Sequence, residues 1–387
     1  MPEIFDRANM GLSVSIRREK IAEVLIIGGG IVGSAVALGI AERGARVMML
    51  DEGDCAFRAA RGNAGLVWYQ GKGQGMRQYQ EWTLEATRGW PKFVDKLEEL
   101  TGIEVSYRKP GGLNFCLSEA EYKSRRDLID KIRREAEPDD YDCKMLDRTA
   151  VQELLPTIKL GDSVFGASYS VHDGHVNPLA LLRALHAAFR GFGGYYYPGH
   201  SVFDIRQRAK QFVVQTFGGS FAASKLVIAA GNGTGRLAQM VGMHIPVRPE
   251  KGEILVTERT RPCLPFPCNR IQQTAEGSFL LGASQEDTGF DIQTNTRVIQ
   301  CISNRARMVF PVLGKLKIIR SWASLRVITP DKMPIYEASG SSPEVFAIAL
   351  HSGVTLASLH ATKLADWIMD GHAPAGFQNF RCRRFNV

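Results

Sequence analysis

Three glycines and an aspartate near the start of this 387-residue chain have the types and the spacing to hold a dinucleotide. Gly28, Gly30 and Gly33 form G-x-G-x-x-G, and Asp51 follows at the end of the next apolar run. Each position has its own physical task. Gly28 permits a tight turn, Gly30 lets backbone amides approach a pyrophosphate at a helix N-terminus, and Gly33 lets that helix lie close to the preceding strand. Asp51 stands where a carboxylate accepts hydrogen bonds from a ribose hydroxyl, and Glu52 adjoins it. Further on, Arg61, Gly62, Asn63, Ala64 and Gly65 combine small and amide residues that suit close approach of backbone to a flat ring or a phosphate.

These residues need elements to position them. The run from Val24 to Ala41 holds eighteen residues without a charge, close to the length of a membrane span. Gly28, Gly29, Gly30 and Gly33 interrupt it, which excludes that reading. Val24–Ile27 is instead a buried strand of β-branched and aliphatic residues. Residues 31–43 form a helix of small and aliphatic residues closed by Gly44, and residues 47–50 form a second strand that ends at Asp51. Strand, turn, helix and strand with short links are the units of a parallel sheet. The competing reading is a glycine-rich buried turn that binds nothing.

The totals place the chain among globular proteins of more than one domain, with 44% hydrophobic and 23% charged residues. The net charge of +8 suits an anionic ligand, an acidic partner or an anionic membrane surface. Lysines and arginines are mixed with acids, as in "EAEYKSRRDLIDKIRREAEPDD", which reads as a solvated helix face rather than a nucleic-acid patch. The tail "RCRRF" is the one compact basic cluster. Seven cysteines without a C-x-x-C pair show no zinc or iron–sulfur spacing, so no metal site is expected. Their scatter fits a reducing compartment. The first residues carry acids and no apolar stretch, which does not read as a signal peptide; they are an extension, or an upstream start ahead of Met10. The expected location is the cytoplasm, in solution or peripherally at the inner membrane surface.

Several stretches, in this order, resemble the D-amino-acid-oxidase-type flavoproteins, the group of glycine oxidase and monomeric sarcosine oxidase. "RGNAGLV" from Arg61 is similar to that family's second flavin-contact segment, and "DGHVNPLALLRAL" from Asp173 to its mid-chain entry from strand to helix. "KLVIAAGNGTGRLAQMVG" from Lys225 is similar to the strand and glycine turn under the flavin. "LRVITPDKMPIYE" from Leu325 resembles its R-x-x-x-P-D-x-x-P segment, and "LHSGVTLASLHATKLADWIMDG" from Leu350 its C-terminal flavin loop and helix. The resemblance covers about residues 20 to 384. "GHVNPL", "GASQEDTGFD", "HSGVTLAS" and the F-R-x-R-R-F tail look most like one branch. It holds the FAD-bearing small subunits of opine oxidases, hydroxyproline or proline dehydrogenases and hydrogen cyanide synthase.

The resemblance implies an α/β chain in which a Rossmann-like FAD-binding domain interleaves with an α+β substrate domain built on an antiparallel sheet. The FAD-binding parts would be residues 20–105, 147–245 and 323–380, and the substrate parts 106–146 and 246–322. Residues 1–19 would be an extension and 381–387 a basic tail. "GEILVTE" and "GSFLLGAS" alternate as antiparallel strands should. Proline-rich "RPCLPFPCNR" is an ordered loop, either at a substrate mouth or as a surface crossover.

The implied cofactor is FAD. Beside the fingerprint residues it would contact Ile31, Val32, Val202, Ala230 and Gly231, and the loop Ser352, Gly353, Val354 and Thr355. That loop precedes a helix whose Leu356, Leu359, Leu364 and Trp367 face inward and whose dipole would favour negative charge on the reduced ring. Arg326 occupies the place of the carboxylate-binding arginine of glycine-oxidase-like relatives, where a guanidinium grips a carboxylate as a fork. His351 is either a satisfied core histidine or a group that tunes the flavin or takes the amine proton. Asn63 and His175 read as structural hydrogen-bonding residues.

Two departures qualify the resemblance. The flavin-linked cysteine of sarcosine-oxidase-like relatives is replaced by Ser324, so FAD would be held non-covalently. Their oxygen-activating lysine is replaced by Leu280, which points away from rapid reaction with oxygen. The expected activity is oxidation of a C–N bond in an amino acid or amine that carries a carboxylate, with hydride passing to the flavin and the imine then hydrolysed. Electrons would go to a larger relay subunit. The rivals are a stand-alone oxidase releasing peroxide, a subunit whose flavin is structural, and, from the charge alone, an RNA-binding module.

Overall fold

The computed structural model describes residues 19–53, 58–136 and 141–385. The expected extension lies outside these residues except for Glu19, as do Cys55 and the last two residues of the tail.

Strand Lys20–Ile27 is the spine of an eight-stranded sheet. It pairs in parallel with Gly219–Ile228 on one side and Val47–Leu50 on the other, placing Ile27 opposite Ile228 and Leu50. Tyr195–Tyr197 and Val345–Ala349 extend the parallel part. Val202–Arg208, Gln211–Thr216 and Ile335–Ala338 join antiparallel. The spine reads as an unbroken apolar run because both faces are covered. Val24 and Ile26 pack with Val36 and Ile40 of the helix Ile31–Glu42, while Leu25 and Ile27 pack with Phe212, Phe221 and Leu237 on the other face. Each such side chain, almost fully buried, contributes about 1.5–3 kcal/mol relative to exposure. Gly44, at φ +83°, follows the helix end in a conformation that few other residues adopt.

A second sheet is antiparallel throughout, in the order Ile271–Gln273, Ser278–Gly282, Arg248–Arg259 and Ile318–Ile328. A third places Gly166–Ser170 between Gly112–Cys116 and Lys144–Asp147. The parallel core and the antiparallel sheets are the mixed α/β fold expected. The boundary between the parts differs from the expected one. Val151, Leu155, Ile158 and Ala167, expected in the FAD-binding part, share a core with Leu255, Phe279 and Phe310, expected in the substrate part. The basic tail is also less free than its charge suggests: Arg381 pairs with Glu337, and Arg384 with Asp331, at 2.7 Å each. Among the described residues no helix is long and apolar enough to cross a membrane.

Candidate active site

The glycine turn divides its labour as the spacing requires. Gly28 has φ +115°, and a Cβ there would lie 2.3 Å from the Ala229 carbonyl oxygen. A Cβ on Gly33 would lie 1.9 Å from the Gly28 oxygen, so both positions are closed by packing. At Gly30 the nearest atom is the Ala60 Cβ at 3.7 Å, and the open side belongs to a large cavity. Gly30 therefore leaves room for a ligand, not for the protein. Asp51 is buried at the strand end and accepts hydrogen bonds from the Gly29 amide at 2.7 Å and the Gly53 amide at 2.9 Å. Arg58 Nη1 adds contacts to its two oxygens at 2.7 and 2.8 Å. His186 Nε2 supports the turn from behind, 2.9 Å from both the Gly29 oxygen and Ser34 Oγ.

The cavity has a volume of about 750 Å³ and takes its walls from both the parallel and the antiparallel sheet. Gly28, Gly30, Ile31, Val32, Asp51, Glu52, Gly62, Asn63, Ala64, Gly65, Val202, Ala230 and Gly231 line it. So do Arg326, His351, Ser352, Gly353, Val354 and Thr355. Gly33 lies behind the wall, in keeping with its packing task. Arg61 is not among the wall residues; Arg58, three residues earlier, is, with its guanidinium drawn to Asp51. The spacing of the sequence carries no signal that separates these two arginines. Lys72, Arg236 and Arg270 also line the cavity, and no sequence pattern singles them out. Cys268, Asn269 and Arg270, at the end of the proline-rich loop, line the cavity.

The loop from His351 to Thr355 is fastened to the segment after Gly65. Trp68 N donates to Thr355 Oγ1 at 3.0 Å, and Trp90 Nε1 to the Thr355 carbonyl at 2.8 Å. Lys72 Nζ donates to Ser352 Oγ at 2.9 Å, and Tyr79 Oη lies 2.8 Å from the same oxygen. The helical run after the loop spans Ala357–Leu359, a wide turn His360–Leu364 and Ala365–Asp370, with Leu356, Leu359, Leu364 and Trp367 all buried. Asn63 donates to the Ala59 and Ala60 carbonyls at 2.8 and 3.0 Å and accepts from the Gly65 amide at 2.8 Å. His175 lies 2.9 Å from Gln272 Nε2, and burial pushes its pKa down to about 4.

Arg326 reaches the cavity from strand Ile318–Ile328. Nη1 lies 3.3 Å from Glu250 Oε1 and donates to the Lys251 carbonyl at 3.2 Å, while Nη2 donates to the Ser284 carbonyl at 2.8 Å. Burial lowers its pKa from the usual guanidinium value, with Glu250 acting in the opposite direction. Gly252 makes room, since a Cβ there would meet Arg326 Nη2 at 2.4 Å. His351 stands exposed to the cavity, and the surrounding protein together with Lys72, Arg326 and Lys332 lowers its imidazole pKa from the ordinary value. Ser324 packs on Gly62, with Oγ 3.3 Å from the Gly62 carbonyl, and Leu280 stands on the cavity wall.

A parallel sheet whose strand ends carry a glycine turn and an acid, opening onto a cavity roofed by an antiparallel sheet, defines a dinucleotide-dependent oxidoreductase of the flavoprotein type. The chain belongs to the FAD dependent oxidoreductase (DAO) family, whose model matches residues 23–367. It is 37% identical over 365 residues to one of the subunits of opine oxidase from Agrobacterium tumefaciens (strain Ach5), covering 94% of this chain and 98% of that one. It is 28% identical to glycine oxidase of Geobacillus kaustophilus (strain HTA426), covering 89% of this chain and 92% of the relative. The crystal structure of glycine oxidase from Geobacillus kaustophilus matches with a TM-score of 0.85 at 25% identity, over 94% of this chain and 98% of the other. The walls fit FAD: Gly30 is open where a pyrophosphate must approach, and Asp51 is oriented at the strand end.

Proposed function

We propose that this chain oxidises the C–N bond of an amine or amino acid bearing a carboxylate, such as an opine, a proline derivative or glycine. The observation that carries this reading is one cavity lined by both the glycine turn with its acid and the Arg326 guanidinium. Gly28–Gly30, Asp51 and the loop from Ser352 to Thr355 would hold FAD non-covalently, since Ser324 offers no thiol for attachment. Bound FAD supplies hydride acceptance at its ring N5. Arg326 fixes the substrate carboxylate and with it the orientation of the neighbouring C–H bond. His351, whose depressed pKa makes it a weak base, faces the site as a neutral hydrogen-bonding group, and the proton of the amine nitrogen leaves to solvent. Apolar Ile254, Leu280 and Val354 keep water from the reacting carbon. The imine formed is hydrolysed by water after release.

Leu280 on the wall supports transfer of the electrons to a partner chain, and the similarity to one subunit of an opine oxidase points the same way. A second reading, direct reaction with oxygen, is favoured by Lys72, an ammonium on the same wall. Anaerobic mixing with octopine, nopaline, cis-4-hydroxy-D-proline, L-proline, glycine and sarcosine tests the activity. Bleaching of the flavin by at least one of them is expected. Bleaching by dithionite but by none of the amines would make the flavin a structural group.

A further inference from the structure

We infer that Phe290 determines substrate specificity at the mouth of the cavity, where its ring packs against an apolar group that the substrate carries beyond its carboxylate, and that Lys251 is the positioning residue that holds it there. This rests on the amine-oxidation reading above and adds a requirement on the remainder of the substrate.

Phe290 is 71% exposed and belongs to none of the hydrophobic cores of the described residues. Among the described residues it is the one exposed large apolar side chain that also lines the main cavity. An apolar ring at a cavity mouth loses its contact with water when an apolar group of a ligand covers it. The residues just before it, Asp287, Thr288 and Gly289, are polar or small, as an exposed turn requires. Phe290 departs from that pattern at the point where the segment meets the cavity.

The segment that carries the ring is held at both ends to the strand Arg248–Arg259. Lys251 and Glu286 exchange backbone hydrogen bonds at 2.9 and 3.0 Å, and Asn295 N donates to Glu253 Oε1 at 2.8 Å. Between those ends the Lys251 ammonium, on a side chain only 3% exposed, reaches the same segment. Nζ lies 3.1 Å from Glu286 Oε2 and 3.3 Å from Asp291 Oδ2, and donates to the Gln293 carbonyl at 3.0 Å. Asp291 follows Phe290 directly, so this clasp fixes the residue beside the ring. A cation withdrawn from water is costly unless acids and carbonyls surround it, and here those groups come largely from one surface segment. The base of the segment is joined to the proposed anchor: Arg326 Nη2 donates to the Ser284 carbonyl at 2.8 Å and Nη1 to the Lys251 carbonyl at 3.2 Å. Cation and ring thus stand at the base and the tip of one fastened segment, a charge for the carboxylate and an apolar face for the rest of the ligand. Ile254 and Leu280 continue that apolar surface on the cavity wall.

The test keeps the carboxylate and varies the apolar group. Sarcosine and N-benzylglycine differ by a methyl against a benzyl group, and methoxyacetate and benzyloxyacetate are their unreactive ether counterparts. Binding of the ethers to the FAD-loaded protein is followed by calorimetry, and reaction of the amines by anaerobic flavin bleaching. Benzyloxyacetate is expected to bind roughly 10-fold more tightly than methoxyacetate, the range of one aromatic contact. Phe290→Ala should bring that ratio close to unity, and Phe290→Leu should keep part of it. Lys251→Met should lower the ratio although the ring is present, and Asp291→Asn, which weakens the same clasp, replaces it if unfolding temperatures without ligand show that Lys251→Met does not fold. Equal binding of both ethers by the unsubstituted protein, binding of neither, or a ratio that survives Phe290→Ala overturns the inference, and a ratio untouched by loss of the clasp overturns the part given to Lys251. If Phe290 discriminates the ethers but no amine bleaches the flavin, the specificity role stands and the oxidation reading falls. If both amines bleach it equally well, the oxidation reading stands and the specificity role falls.

Discussion

Arg326 Nη1 lies 3.3 Å from Glu250 Oε1, so the cation proposed to hold the substrate carboxylate already has a resident acid. A carboxylate ligand must share the guanidinium with that acid, using the donors that Glu250 and the two carbonyls leave. Arg326→Leu should lower kcat/KM by roughly 10²-fold or more, since removing one partner of a buried charge pair costs about 2–5 kcal/mol. The flavin spectrum should be nearly unchanged. Glu250→Gln removes the competing charge and should lower KM. Steady-state kinetics of both variants decide the point, and normal substrate handling by Arg326→Leu would dismiss it as the anchor.

The path of the electrons separates the two readings of Leu280 and Lys72. Substrate should reduce the flavin quickly without air, and re-oxidation by air should be slow, with rapid turnover only through a dye or a partner. Stopped-flow mixing of reduced protein with air-saturated buffer measures this. Re-oxidation that keeps pace with dye-driven turnover, yields stoichiometric peroxide and slows in Lys72→Met would assign the electrons to oxygen.

Two expectations about how the cofactor is held rest on Ser324 and Asp51. Acid precipitation should leave FAD in the supernatant, and a flavin that stays with the pellet would contradict a non-covalent site. Asp51→Ala should weaken FAD binding by about 1.5–3 kcal/mol, the scale of a hydrogen bond to a charged group. Fluorescence titration of the stripped protein reads that change.

His360 makes stability depend on acid. It is fully buried, with Nε2 2.8 Å from Tyr336 Oη, and burial lowers its pKa to about 3. A histidine depressed in the folded state contributes stability that is present above the unfolded pKa and lost as pH falls toward the folded one. Between pH 7.5 and 5 that loss is about 2 kcal/mol, set by an unfolded value near 6.5. His360→Gln keeps a partner for Tyr336 but cannot titrate, so urea unfolding at the two pH values should show a smaller acid loss. Equal losses in both proteins would count against a neutral buried His360.

The parts of the site that are legible in the sequence are those where backbone geometry dictates residue type. Gly28 and Gly33 are glycine because a carbonyl oxygen lies where a Cβ would be, and such a constraint leaves a local pattern. Val24–Ile27 and Val47–Leu50 are strands buried on both faces, and an apolar run between turns shows that directly. Arg58, Lys72 and Arg270 leave no such trace, because their positions depend on partners far along the chain or on the fold of a loop. Lys72 meets Ser352 across 280 residues, and Arg270 meets Ala283 only after a strand pair has formed. The sheet that Gly166–Ser170 joins is not legible for a similar reason: its pairing partners, not its composition, decide it.

The cavity wall draws on Gly28 near one end of the chain and on Thr355 near the other. During synthesis the glycine turn emerges early, yet the loop that faces it emerges only when nearly the whole polypeptide has left the ribosome. The whole wall is therefore assembled only after Thr355 has emerged. A fragment that stops short of residue 355 would have its turn and its acid in place and no far wall. The closed cavity is thus a property of chains completed past that loop.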